Sequence, residues 1–453
     1  MRHAGSFPHA AVLAALTFLR SRAFKTRFVL PLLILIAVAA MQAQQTATSQ
    51  ISGVVHDPSG AAISGAEVRI TQTETGFNRT VISAADGSYT IPNLPVGPYR
   101  LAATSKGFSV YVQEGIVLRV NSNPVINPSL QVGAVTEEVK VTATVAMAET
   151  HDSSISQVID QQRIVDLPLN GRQATQLILL SGLSAQGLAT DINTSKNYQS
   201  SSVVISIAGS QPNTNNFVMD GGDNNDAFSN VNKPFPFPDA LQEFNVQASA
   251  LQARYGLHSG GVVSLVTKSG ANSIHGNVFE FLRNGAVNAR NFFAPRHDAL
   301  KRNQFGGTLG GPVMKNKLFY FGGYQGTRIK TDPATTISIV PTAQVLTGDF
   351  STILSSACTA TPITLRAPFS GNKIAPSQFN PQALYLMKYV PVSTDPCGKY
   401  QYGIVNNSEE DQLIGRVDFN PSEKHSIFGR YFISDYRNPA VFDGQNLSLE
   451  KFS

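Results

Sequence analysis

The chain changes character between Gly260 and Arg283. Gly260-Gly261-Val262-Val263-Ser264-Leu265-Val266-Thr267-Lys268 is a short β-branched run, apolar enough for a strand covered on both faces. From Gly276 a different pattern begins, a series of aromatic-rich strands separated by Gly and Asn turns that continues to the end of the sequence. Asp411 to Phe419 shows it best. Leu413, Gly415, Val417 and Phe419 share one face, while Gln412, Arg416 and Asp418 lie with Ile414 on the other. One apolar face and one largely polar face suit a tilted strand between lipid and a polar lumen. A compact globule followed by many such strands is the pattern expected of a barrel enclosing a plug.

Length and charge bound the reading further. At 453 residues the chain is long enough for two to four domains. The net charge of +5 misleads, because Arg2, Arg20, Arg22, Lys25 and Arg27 precede the first acidic residue, Asp57. Removing those five from 35 basic residues leaves 30 against 30 acidic ones, so the rest is neutral and nucleic acid is not an expected partner. The five cations precede Phe28 to Met41, a 14-residue apolar stretch ending among small residues. That is the layout of a secretory leader over residues 1–43, since a spanning helix needs roughly 20 apolar residues. Cys358 and Cys397 are the only cysteines. In an oxidising compartment they could close a disulfide, or both could remain thiols. Two cysteines supply no metal-ligand spacing.

Between residues 51 and 133 short alternating segments are punctuated by turns such as Asp57-Pro58-Ser59-Gly60 and Asp86-Gly87. Ala66 to Ile70 alternates with Glu67 and Arg69 on the outer face. About seven such strands predict a small β-sandwich. Gly53-x-Val55-x-Asp57, Gly65-Ala66-x-Val68, Asp86-Gly87-x-Tyr89-x-Ile91 and Leu94-Pro95-x-Gly97-x-Tyr99 resemble the carboxypeptidase regulatory-like domain. The resemblance implies a transthyretin-like sandwich of a type grouped with carbohydrate-binding folds. It implies no peptidase activity, because the motif residues are turn and core residues.

Residues 150–270 read as a mixed α/β unit, with a helix expected over Gln173 to Leu180 and strands over Val203 to Gly209 and Asn216 to Gly221. Leu167-Pro168-Leu169-Asn170-Gly171-Arg172, Phe217-Val218-Met219-Asp220-Gly221 and Gln242-Glu243-Phe244-Asn245-Val246-Gln247 are similar to the plug of TonB-dependent receptors of the Oar-like group. Arg302-Asn303-Gln304-Phe305-Gly306-Gly307 and Lys317-Leu318-Phe319-Tyr320-Phe321-Gly322-Gly323-Tyr324 resemble the barrel of the same group. Over residues 137–143 the segment Glu138, Val139, Lys140, Val141, Thr142 and Ala143 resembles a TonB box, an exposed strand that would add to a partner's sheet. The alternative is a last strand of the sandwich or a linker strand, and Lys140 departs from the usual apolar residue.

The fold class expected is therefore mainly β: a transthyretin-like sandwich, a mixed α/β plug, then the first strands of an antiparallel transmembrane barrel over residues 271–453. Pro421 to Lys424 is expected as a short periplasmic turn, and Thr331 to Asn407 as a long extracellular loop. The 183 positions from residue 271 allow six to eight strands at roughly ten residues each plus connections, against about 22 in plugged transporters, so the sequence reads as a fragment.

No catalytic constellation and no cofactor or metal site is read from the sequence. Gly306 to Gly311 is glycine-rich, but Pro312 stands where a phosphate loop needs Lys, and bulges or turns are the expected use. Asp220 to Asp226 could offer hard oxygens to calcium, but lacks the distal Glu of an EF-hand and reads better as a turn. Arg254, Tyr255 and Glu243 are expected as polar contacts where plug meets barrel wall. The resemblance implies an outer-membrane receptor importing an extracellular ligand, with outer-membrane lipid around it and a TonB-type energy-transducing complex as partner. The rival is a carbohydrate-binding or adhesion protein anchored by the barrel.

Overall fold

The computed structural model describes residues 48–133, 138–142, 155–186, 205–227, 230–249, 251, 259–290, 300–331, 336–402 and 406–437. The leader over residues 1–43, Ala143, Arg254 and Tyr255 lie outside the described residues.

The first unit is the sandwich. Strands β1 (Ser49–Val54), β2 (Glu67–Gln72), β3 (Asn78–Ile82), β4 (Ser88–Leu94), β5 (Gly97–Thr104) and β6 (Val110–Leu118) form two layers, β1 with β4 and β3-β2-β5-β6. A further strand, β7 (Glu138–Thr142), extends the larger layer by pairing parallel to β6. Alternation decides the faces: in β2, Val68 and Ile70 are buried while Glu67 and Arg69 are exposed. Ile51, Val68, Ile70, Tyr89, Ile91, Leu101 and Ile116 close an apolar core. The motif residues serve this packing. A Cβ on Gly53 would come within 1.7 Å of the Ile126 carbonyl oxygen, so only glycine lets that backbone approach. Tyr89 and Tyr99 turn their hydroxyls to the carbonyls of Ile126 (2.7 Å) and Pro95 (2.8 Å). Hydrogen bonds from Ser59 and Ala61 fasten the Asp57 turn and hold its carboxyl below the usual carboxylate range.

The plug is built on β8 (Ile155–Asp160), β9 (Ser184–Gln186), β10 (Ile205–Ile207), β11 (Asn216–Met219), β12 (Gly222–Asp223), β13 (Leu241–Ser249) and β14 (Val262–Thr267). Its main sheet has the order β12-β11-β14-β13-β8. β14, the β-branched run, is central, parallel to β11 and antiparallel to β13, and all six of its residues are buried. One short helix, α1 (Gln161–Asp166), follows β8 and is capped by the Asp160 carboxylate. The helix expected over Gln173 to Leu180 is instead a 3-10 segment, Ala174–Ser181. Four successive apolar residues cannot share one α-helical face. Leu177 and Ile178 enter the core, whereas Leu179 and Leu180 stay exposed.

The third unit is a wall of five antiparallel strands in the order β15-β16-β17-β20-β21. They are β15 (His275–Asn284), β16 (Lys301–Met314), β17 (Leu318–Thr331), β20 (Asn406–Ser422) and β21 (His425–Arg437). Between β17 and β20 the chain makes a long excursion containing β18 (Thr336–Ile339) and β19 (Lys399–Tyr402), which pair with each other. Cys358 and Cys397 are disulfide-bonded there, with Cα atoms 5.1 Å apart. The turns β16–β17 and β20–β21 are short, and both lie at one end. In outer-membrane barrels short turns face the periplasm and long loops face outward. The turn between β20 and β21 is tighter than Pro421 to Lys424, because β20 runs on to Ser422.

Alternation in the wall is sharp: Leu413 is 50% exposed and Ile414 1%. Val278, Leu282, Leu309, Val417, Ile427 and Tyr431 point outward with Leu413, giving the lipid side its apolar surface. The glycines of β16 do not form turns: Gly306, Gly307 and Gly310 sit inside the strand in register with both neighbours, and Gly311 pairs with Tyr320 of β17. The reason is crowding. A Cβ on Gly306 would lie 2.1 Å from the Tyr324 carbonyl oxygen and 2.9 Å from the Phe279 ring.

Candidate functional site

The plug rests on the inner face of the wall, and the contact is mainly polar. Its centre is Asp220, the residue after β11. Its φ of 50° is one that Asp tolerates better than most side chains, and Gly221 follows at 84°. This turn places the carboxylate at the edge of the plug where it meets the wall. Asp220 accepts from the Thr267 amide at 2.8 Å and hydroxyl at 2.7 Å, which fix it to the end of β14. From the wall, Arg416 and Arg430 each approach it at 3.2 Å.

Those two arginines are direct cross-strand partners in β20 and β21, both facing inward. Like charges directly opposite each other destabilise a ladder. The plug carboxylate inserted between them removes the conflict. Arg416 is further held by Asp418 at 2.8 Å, by the Thr267 carbonyl at 3.1 Å and by the Phe428 ring 4.7 Å away.

The same device recurs nearby. Arg283 and Arg302 are opposed inward-facing partners of β15 and β16, and both donate to the Asn170 side-chain oxygen, at 3.0 and 3.3 Å. Gln304 donates to the Gly171 carbonyl at 3.0 Å. Gly171 has φ 72°, and a Cβ there would meet the Arg302 guanidinium at 2.7 Å. The Leu167 to Arg172 motif is thus a plug loop shaped to fit two wall arginines. Arg172 pairs with the buried Asp239, which also accepts from Asn277 of the wall. The Arg172 guanidinium lies 4.0 Å from the Phe281 ring centre and 4.8 Å from Phe279. Burial lowers its pKa, and the Asp239 charge opposes that shift. An apolar anchor completes the contact: Phe237 of the plug packs on Phe279, Phe321 and Ile414. Gly323 leaves room for it, since a Cβ there would sit 2.9 Å from the Phe237 ring.

Glu243 does not face the wall as expected. It is buried and accepts from the Val120 amide of the sandwich at 2.8 Å, so it joins plug to sandwich. The sandwich also meets the short-turn end of the wall region. The Asn272 amide donates to the Glu74 carbonyl at 2.9 Å, and the Asn272 and Asn316 side chains are linked at 2.7 Å. The Asp220 to Asp226 stretch is a turn whose parts are committed elsewhere. Asp220 faces guanidinium groups, and Asp223 accepts from the Asn225 amide at 3.0 Å. Glu138 to Thr142 form β7, the outer strand of the sandwich's larger sheet, with Val139 37% exposed.

Two family models match the chain, an outer membrane beta barrel domain over residues 266–452 and a carboxypeptidase regulatory-like domain over residues 50–131. The TonB-dependent transporter Oar of Myxococcus xanthus is 29% identical over 291 residues, 61% of this chain. The homology to that transporter covers part of the chain. It spans 26% of the length of that relative. Among solved structures, the siderophore receptor PirA of Acinetobacter baumannii aligns over 62% of this chain and 32% of its own, at 14% identity and a TM-score of 0.36. A ferric enterobactin receptor mutant (PfeA) of Pseudomonas aeruginosa aligns over 62% and 33%, at 16% identity and a TM-score of 0.34. The wall is an outer-membrane barrel segment, and the protein belongs to the outer membrane.

Sequence reasoning missed Arg416–Asp220–Arg430 and Asn170 with its two arginines as assemblies. One signal was available. A charged residue on the polar face of a lipid-contacting strand needs a partner inside the barrel.

Proposed function

We propose that this protein is an outer-membrane receptor that imports an extracellular ligand, with energy relayed by a TonB-type complex through displacement of the plug. The observation that carries this reading is the plug–wall contact. A folded plug is held on the inner face of a lipid-facing wall by ion pairs and side-chain hydrogen bonds, contacts that water can replace once the surfaces part. No step of covalent catalysis is involved. The role is conformational.

The segment Glu138 to Ala143 is where we place the partner's grip. In support, Glu138 to Thr142 already adopt a strand conformation at a sheet edge, the form in which β-augmentation proceeds. The sandwich is docked against the plug through Val120 and Glu243, at the short-turn end, so it does not extend outward as an adhesin's binding module would.

Single cysteines placed in turn from Glu138 to Ala143 test the reading in cells. They should cross-link to the periplasmic domain of the host's TonB-type protein, and deletion of the segment should abolish energy-dependent uptake. Uptake that persists after the deletion would return the function to the anchored-binding alternative.

A further inference from the structure

Two cavities, about 690 and 760 Å³, open at the short-turn end between sandwich, plug and wall. Five residues line both: Val96, Gln161, Gln242, Lys268 and His275. Lys268 is therefore at the junction of the two spaces, and it is unusual among them. It is only 8% exposed, yet its ammonium makes no hydrogen bond or ion pair among the described residues. Its position is fixed by the backbone. Its amide donates to the Ala240 carbonyl at 2.9 Å, and the preceding Thr267 is fastened to Asp220.

Three acidic groups near it are engaged by other residues, while Asp166 and Glu74 line the cavities farther along. Asp239, whose charge Lys268 feels, is held by Arg172 and Asn277. Glu243 accepts from the Val120 amide, and Asp160 caps α1. Lys268 is largely shielded from solvent, and burial lowers its pKa while the Asp239 charge opposes the shift. An oxyanion in the adjoining space would oppose it further. The space is far larger than a bare ion needs and falls in the size range of small-molecule sites, about 300 to 1,000 Å³. Val96, Val117 and Leu118 line the 690 Å³ cavity together with Gln161 and Gln242.

We infer that this junction binds a small organic oxyanion, a carboxylate- or phosphate-bearing solute, with Lys268 as its charge partner and Gln161 and Gln242 as amide donors. Such a site lies on the periplasmic side of the plug, beside the central plug–wall ion pair, since Asp220 and Arg416 also line the 760 Å³ cavity.

The test is calorimetric titration of the full chain in detergent micelles with citrate, inorganic phosphate and, as a neutral control, maltotriose, at ionic strength held constant with sodium chloride. Saturable binding of citrate or phosphate is expected, weakened about tenfold or more in Lys268→Met and recovered in Lys268→Arg. Citrate alone would assign the carboxylate, phosphate alone the phosphate group. Should Lys268→Met fail to fold by circular dichroism, Gln242→Leu carries the test through a several-fold loss of affinity. The inference is overturned if neither probe binds saturably, if the variants bind as the wild type does, or if binding follows ionic strength alone.

Discussion

The sandwich core and the plug–wall contact hold the molecule together by opposite means. Inside the sandwich, Ile51, Ile70, Ile91, Leu101 and Ile116 are fully buried and pack on one another. Between plug and wall the principal contacts are Asp220 with Arg416 and Arg430, Asn170 with Arg283 and Arg302, and Asp239 with Asn277. Apolar burial has no substitute in water, whereas water can replace each polar partner. The sandwich is thus closed by apolar burial, whereas the plug–wall contact rests mainly on polar pairs. The opposed arginines sharpen the contrast. Each pair is bridged by a plug side chain, although Arg416 also has a wall partner in Asp418.

The largest effect should come from breaking the central ion pair. Asp220→Ala leaves Arg416 and Arg430 facing each other and should weaken plug seating by about 3 to 5 kcal/mol, as for other buried pairs deprived of one partner. Limited proteolysis of the plug in detergent-solubilised protein would register it. Cleavage unchanged from wild type would show the contact to be incidental.

In the sandwich, Leu101→Ala should cost about 2 to 5 kcal/mol through lost burial and the cavity left behind. Here the loss should appear as unfolding of the sandwich in urea, while the plug stays protected from protease. If the plug loosens equally, the two regions are not independent and the comparison fails.

A smaller effect is expected at Gly323. Gly323→Val would push against Phe237 and should cost about 1 to 3 kcal/mol of seating, as overpacking does. Phe237→Ala in the same chain should recover part of that loss, which a double-mutant cycle would measure.

The smallest effect lies in the long excursion. Hydrogen bonds from Ser351 first, with Gln344 and the Lys373 charge contributing, hold the Asp349 carboxyl down at about 2. A depressed carboxylate pKa gives stability that is present above the unfolded value and lost as pH falls through the folded one. The local turn should therefore hold down to about pH 2, with the Asp349 carboxyl resonance titrating near there. Ser351→Ala should move that midpoint upward, and no movement would dismiss the hydrogen bond as its cause.

Much of the architecture was legible in the sequence because alternation and turn chemistry are local. Leu413 against Ile414, Glu67 against Val68 and the six buried residues of β14 all follow from patterns a few residues long. The Ala174–Ser181 segment was misread for a local reason too, since a run of apolar residues carries no period that separates an α-helix from a 3-10 turn. The number of strands in the sandwich was not local. Six lie before residue 133, and the seventh, β7, arrives from beyond it.

What the amino-acid order determined by itself was which faces are apolar and where turns fall, because side-chain period and backbone preference act within a few residues. What only the tertiary structure decided was partnership. Asp220 lies 196 positions from Arg416, and Asn170 lies 132 from Arg302. Nothing short-range links such residues, and only the seating of the plug sheet on the wall brings one carboxylate between two guanidiniums.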